Sequence, residues 1–194
     1  MSSPLSSPLP PSPLSSPLPA RPGELPARAE ERPGRAAGPE ELRAVMRRHA
    51  AGVAVITTRG GGPVGFCATS LASVSLEPPT VSFGVALGST SGRAWRRAAH
   101  GIVHLLRSDQ ADVASAFAVT GPEKFAGPVE WRWGPCGLPL LDGVPAWMLV
   151  STRTRLVVGD HLLVVADVRE TVVETVVGPG GGPLVHHDGR FLAL

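Results

Sequence analysis

The chain contains no tyrosine, and aromatic residues make up only 5% of its 194 positions. It carries two cysteines, Cys67 and Cys136. Two thiols make neither a disulfide framework nor a four-ligand metal site by themselves, and they suit a reducing cytoplasm. Charge of either sign is scarce: the formal net charge is +2 and the isoelectric point is near 8.9. No strong basic field therefore points to nucleic acid. No window reaches the ~18 consecutive apolar residues of a membrane span. The N-terminus also lacks the uninterrupted apolar run of ~7–15 residues that a secretory signal needs. Catalytic signatures are missing as well. There is no Gly-x-Ser-x-Gly elbow and no cysteine with a base at a characteristic local spacing, which disfavours nucleophilic hydrolysis. No Gly-x-Gly-x-x-Gly opens a helix after a strand, which disfavours a Rossmann dinucleotide site. His100 and His104 are four apart without the glutamate of His-Glu-x-x-His, and His186-His187-Asp188 sits at a glycine-punctuated turn, so no metal site is expected.

What is present falls into two parts. Residues 1–38 repeat SSPLSSPLP almost twice and are dominated by Pro, Ser, Leu, Arg and Glu. Proline removes backbone donors and blocks helix and central strand, so this stretch reads as a disordered Pro/Ser-rich tail. Residues 39–194 read as one folded domain. Residues 39–50 open with proline and two acids and close with basic residues, which predicts a helix. Its apolar stripe is Leu42, Val45, Met46 and His49, the histidine expected to pack at the core edge; Gly52 is expected to stop it.

From residue 53 onward the dominant period is two. The pattern predicts strands over 53–58, 63–68, 72–76, 80–86, 101–106, 146–157, 161–169 and 171–177. Two helices, over 91–99 and 108–117, interrupt them. Residues 119–143 read as one long loop carrying Trp131 and Trp133, of the kind that is functional or covers something. The glycine-proline run at 178–183 reads as a hairpin connection. Many short strands with few helices indicate a mainly β chain, an antiparallel barrel closed or nearly closed.

The stretch GFCATSLASVSLEPP (65–79) places Thr69, Ser70, Ser73 and Ser75 between strands that otherwise want burial. Buried hydroxyls without partners cost about 1–3 kcal/mol each. They either cap local backbone or face a ligand rich in hydrogen-bonding groups, and the second reading is preferred. Gly88-Ser89-Thr90-Ser91 precedes a helix; it either caps that helix or approaches a phosphate.

With these pieces in order, residues 42–194 resemble the flavin reductase-like, FMN-binding split-barrel family, which includes the reductase components of two-component flavin-dependent monooxygenases. The likeness rests on RRHAAGVAVITT (47–58), GFCATSLASVSLEPPTVSF (65–83), the small-residue run 88–91, FAVTGPEKFAG (117–127), GLPLLDGVPAWM (137–148), GDHLLVVADV (159–168) and PLVHHDGRF (183–191). It implies an antiparallel split β-barrel in which Cys67, Ala68, Thr69 and Ser70 line the flavin ring and ribityl chain. It also implies that Ser73, Ser89, Thr90 and Ser91 approach the phosphate and that Lys124 and Phe125 close the pocket. His161 matches the histidine on the nicotinamide side, and His186 and Arg190 border the same site. The sequence departs from the family at His104, where Asn is usual, at the missing tyrosines near His186 and Phe191, and at Ala86-Leu87.

The resemblance implies an NAD(P)H:flavin oxidoreductase using FMN or FAD with NADH or NADPH. Reduced flavin would pass to a partner monooxygenase, and the protein would be a cytoplasmic homodimer without nucleic-acid or membrane partners. Hydride passes between two stacked rings, so no side chain need act as a catalyst and small residues suffice. The alternatives are a non-catalytic flavin carrier or sensor of the same fold and, further off, an oxidase of a phosphorylated pyridine amine. Cys67 is read as a packing group, not a redox thiol.

Overall fold

The computed structural model describes residues 36–119, 121–127, 129–174 and 181–193. The proline-rich tail as far as residue 35, and the end of the strand expected over 171–177 with the first half of the 178–183 connection, lie outside them. Helix α1 (Pro39–Met46) starts at Gly38, whose N–H donates to the Glu41 carboxylate. The chain then runs through β1 (Ala51–Gly52), β2 (Ala54–Arg59), β3 (Pro63–Ala68), β4 (Ala72–Leu76) and β5 (Pro79–Ala86). Helix α2 (Thr90–Trp95), β6 (His100–Leu105) and α3 (Ala111–Ala118) follow. After them come β7 (Trp131–Trp133), β8 (Pro139–Leu141), β9 (Ala146–Val158), β10 (His161–Val173), β11 (Leu184–His187) and β12 (Arg190–Ala193).

Seven strands form an antiparallel sheet in the order β3-β2-β6-β9-β10-β5-β4. Its two edge strands, β3 and β4, are consecutive in sequence and joined only by residues 69–71. The sheet must therefore curl until its edges meet, which gives a barrel with an open seam where β3 faces the end of β5 that β4 leaves unpaired. β1, β11 and β12 form a separate three-stranded sheet, and β7 and β8 pair with each other.

The core explains the long apolar run of β2. Ala54 and Ile56 face the barrel interior with Phe83, Trp95, Val103, Val150 and Val164. Val55 and the preceding Val53 face outward into a second cluster with Ala114, Phe117 and Leu184. Both faces are covered, so the strand reads as continuously hydrophobic rather than alternating. Polar groups here are paired to main chain. Thr57 Oγ1 donates to Pro139 O at 2.6 Å and Thr58 Oγ1 to His100 O at 2.8 Å. Fully buried His104 sits between Val55 O (2.9 Å from Nδ1) and the Leu141 N–H (3.1 Å from Nε2). Nε2 must accept from that N–H, so Nδ1 carries the proton and donates. One imidazole thus ties β2, β6 and β8 together, and burial pushes its pKa down to about 4.

Several expectations are corrected. Helix α1 ends at Met46, and Ala51 and Gly52 pair with His186 and Val185 instead of stopping a helix. Its apolar stripe is not packed: Leu42, Val45 and Met46 are 60%, 68% and 52% exposed, and His49 is exposed rather than at the core edge. The strand expected over 161–169 and the described start of the one expected over 171–177 are one strand, β10, which absorbs two register shifts against β9 on the way. Residues 119–143 are not a structureless loop. They hold 3₁₀ turns at Pro122–Phe125 and Pro135–Gly137 and the β7–β8 pair.

Candidate active site

A cleft of about 820 Å³ opens along the seam. Its wall is the second half of β3 with the residues that follow, together with the end of β5. Cys67, Ala68, Thr69, Ser70, Ser89, Thr90, Ser91, Lys124, Phe125 and His161 all line it. The volume falls within the ~300–1,000 Å³ range of small-molecule sites.

Small side chains keep the cleft open, and the larger ones are held back by packing. A Cβ on Gly65 would lie 2.6 Å from Phe117 Cε1, so the ring packs directly on the β3 backbone. Phe117 stacks edge-on against Phe125 at 5.0 Å, Phe125 against Trp131 at 5.2 Å, and Trp131 against Trp133 at 5.1 Å. The Arg59 guanidinium covers Trp133 at 5.4 Å. This ladder fixes the 121–127 segment at one side of the cleft, and Trp131 Nε1 donates to Phe125 O. Lys124 adds a second anchor: its ammonium donates to Gly65 O and Phe117 O, both at 3.2 Å. Burial lowers the Lys124 pKa, an effect the Cys67 thiolate would oppose.

Cys67 is half-buried. Burial pushes its thiol up to about 11, against the pull of Lys124. It holds its proton at neutral pH and is a poor nucleophile, as the sequence reading assumed. At the β9–β10 turn, His161 Nδ1 lies 2.7 Å from the Asp160 carboxylate, which holds Asp160 below its usual range. Because a carboxylate only accepts, that contact keeps the proton on Nδ1 and leaves Nε2 uncommitted.

The hydroxyls divide. Ser70 Oγ accepts from Gly84 N–H at 2.9 Å and joins the end of β3 to β5. Ser75 Oγ accepts from Glu77 N–H, and Ser89 Oγ accepts from Gly92 N–H as the α2 cap. Ser91 donates to Gly65 O. Ser75 and Ser89 thus cap local backbone, whereas Ser70 and Ser91 tie main chain of other strands, and all except Ser75 line the cleft. Thr69 is exposed at the cleft wall.

Three residues are not brought there. Ser73 is exposed on edge strand β4, opposite Val81. His186 and Arg190 belong to the β11–β12 hairpin, where the His186 ring meets Phe191 at 5.5 Å. Sequence reasoning missed Gly84 and Val85, which with Ala86, noted only as a departure from the family, form the wall facing β3; only the curl of the sheet makes them neighbours. Among the described residues no cluster of three or more His, Cys, Asp or Glu is placed to hold a metal, and no helix is long and apolar enough to cross a membrane.

The seam can take a flat ring without moving a core side chain. Its wall is made mostly of glycine and short residues, with Phe66, Phe117, Phe125, Lys124 and His161 as the bulky groups among them. That is the fit a flavin requires. Comparison with known proteins agrees. The flavin reductase like domain matches residues 46–194. An NADH:FMN oxidoreductase from Rhodococcus qingshengii is 42% identical over 152 residues, 78% of this chain and 79% of that protein. The reductase subunit of a flavin-dependent monooxygenase from Mycobacterium tuberculosis is 32% identical over 157 residues, 80% and 82% of the two chains. The solved structure of a Streptomyces globisporus NADH:FAD oxidoreductase in complex with NAD and FAD fragments superposes with a TM-score of 0.72 at 28% identity, covering 80% of this chain and 92% of that one. With its curled antiparallel sheet and open seam, this chain belongs to the flavin reductase-like domain family.

Proposed function

We propose that the seam cleft is the flavin site of an NAD(P)H:flavin oxidoreductase that supplies reduced flavin to a partner monooxygenase. The observation that carries the reading is the coincidence of the barrel's open edge with an 820 Å³ cleft walled by short side chains. Bound there, FMN or FAD accepts a hydride from the nicotinamide of NADH or NADPH. The chain's own residues hold, orient and exclude. Cys67 to Ser70 form the wall along the ring and ribityl chain, with Thr69 the hydroxyl most open to it. Ser89, Thr90 and Ser91 stand at the phosphate end. Lys124 and Phe125 pin the segment that shields the cleft from solvent, which strengthens the interactions inside it. His161, turned by Asp160, offers Nε2 to the nicotinamide side.

A homodimer completes the reading. The exposed face of Leu42, Val45 and Met46 on α1 is a surface that a second copy would cover. His186 and Arg190 stand outside the cleft of their own chain, so a nicotinamide-side role for them requires the cleft of that second copy. The two cysteines are free thiols, which suits a cytoplasmic setting. Stopped-flow mixing of the protein with FMN and NADH tests the activity: the visible flavin absorbance is expected to bleach faster than free flavin does with NADH. No acceleration, with either flavin or either nicotinamide nucleotide, rejects the reading. Light scattering that returns a monomer mass rejects the dimer separately.

A further inference from the structure

Glycine inside a strand or helix has no side chain to pack and more backbone freedom to lose, so its presence there calls for a cause. Three glycines of this fold have that cause in the packing. A Cβ on Gly65 would press on Phe117, one on Gly92 would run into Ala86 O, and one on Gly101 into the Trp95 ring. Gly84, inside β5, has no such cause. It is not among the residues of positive φ. Pairing of β5 with β10 runs unshifted from Thr80 to Ala86, so Gly84 makes no bulge there. A Cβ on it would meet only Ser70 Oγ at 3.5 Å, with Ser70 Cβ and His161 Cδ2 at 4.0 Å. These are ordinary contacts with two side chains. The fold itself has room for an alanine.

Phe83 and Val85 turn into the barrel core, so strand alternation turns Gly84 outward. Gly84, Ser70 and His161 all line the cleft. β4 pairs with β5 only as far as Ser82, and Ser70 takes the next place along that edge, its Oγ accepting from Gly84 N–H at 2.9 Å. The missing side chain therefore leaves a recess in the cleft wall, with Ser70 on one side and His161 on the other. We propose that Gly84 is a specificity-determining residue, and that its recess seats the flat ring of the flavin against the β5 main chain. The proposal rests on the cleft being the flavin site and deepens it by naming the residue that admits the ring. A planar ring gains attraction over its whole face only when it rests at contact distance, and even a gap of ~1 Å forfeits much of it. A side chain at residue 84 would hold the ring off the wall.

The test is equilibrium binding of FMN and of riboflavin to the full chain and to Gly84→Ala, Gly84→Val and Ser70→Ala, with the melting temperature of each. Gly84→Val is expected to weaken both flavins roughly ten-fold or more, the scale of overfilling a packed site. Gly84→Ala is expected to weaken them less, and by the same factor for both, because the ring is what they share. Its melting temperature is expected to hold or rise, since alanine loses less backbone freedom than glycine. If the valine variant does not fold, the alanine variant decides. Ser70→Ala removes the bond to Gly84 N–H without filling the recess and is expected to cost less affinity than Gly84→Val. An equal or larger loss assigns the effect to that bond and overturns the proposal. Unchanged affinity on filling the recess also overturns it, as does a loss confined to FMN, which would put the phosphate over Gly84 in place of the ring. Wild-type protein that binds neither flavin overturns the cleft assignment itself, an outcome separate from the others because no variant is needed to see it.

Discussion

Strand β2 and the stretch after β3 carry the same kinds of side chain and put them to opposite use. On β2, Thr57 and Thr58 are buried and each hydroxyl is spent on a carbonyl across the strand pair or from β8. Beside them, His104 satisfies one acceptor and one donor with its two nitrogens. Immediately past β3, Thr69 is exposed on the wall of an open cleft. A polar group inside a closed seam is a structural tie, because leaving it unpaired costs about 1–3 kcal/mol. The same group at an open seam is available to a ligand. The barrel is stitched on one side and left ajar on the other, and flavin chemistry needs the second.

The sharpest way to break this contrast is to cut the buried tie. His104→Leu removes the ring bonds to Val55 O and to the Leu141 N–H, and a loss of ~3 kcal/mol in unfolding free energy is expected by denaturant titration. Flavin affinity of the folded protein should hold; a loss of affinity without a loss of stability would reverse the roles of the two regions. Acid probes the same residue without mutation. The unfolded imidazole titrates near its ordinary 6.5 and the folded one only at about 4. The unfolded chain takes the proton first, so this contribution is complete above pH 6.5 and is lost as pH falls to about 4. The loss amounts to about 3 kcal/mol. In His104→Asn the melting temperature should lose this dependence; an acid limb that persists unchanged assigns it elsewhere.

One substitution made in both regions sharpens the comparison further. Thr57→Val is expected to cost about 1–2 kcal/mol of stability by orphaning Pro139 O, with FMN binding unchanged. Thr69→Val is expected to do the converse, weakening FMN by ~1 kcal/mol with the melting temperature unmoved. Equal effects from both would erase the distinction. The smallest effect concerns thiols: Cys136 is exposed, whereas the Cys67 thiol is pushed up to about 11 by burial. A thiol reagent at pH 8 should modify one cysteine quickly and Cys67 slowly, and mass mapping that finds Cys67 first would contradict its assignment as a protonated packing group.

Much of the barrel is legible in the chain. The period-two runs of β2, β3, β5, β6 and β9 appear near their true bounds because each alternates or is buried on both faces. The cleft residues 67–70, 89–91, 124, 125 and 161 were also readable, though through the order of motifs rather than through spacing. What the chain does not reveal shares a cause. An apolar stripe on residues 42–49 looks the same whether it packs on its own domain or stands exposed, so His49 reads as a core-edge residue although it is exposed. The hydroxyls of Ser70, Ser75, Ser89 and Ser91 look the same whether they cap or bind. Ser73, His186 and Arg190 are close to cleft residues in motif order but not in space, since β4 is an edge strand and β11–β12 belong to another sheet.

Local rules set by the sequence alone decided that these residues would be strands, where glycine and proline would end them, and that few large side chains would stand at 65–70. Side-chain alternation and backbone sterics act over a handful of residues, so they can be read in order along the chain. Which edges meet, which hydroxyl is spent and which is left, and where His104 finds both its partners were decided only in three dimensions. Those outcomes depend on β3 and β5 arriving at one seam while β2, β6 and β8 close another, a matter of sheet curl that no short stretch of sequence encodes.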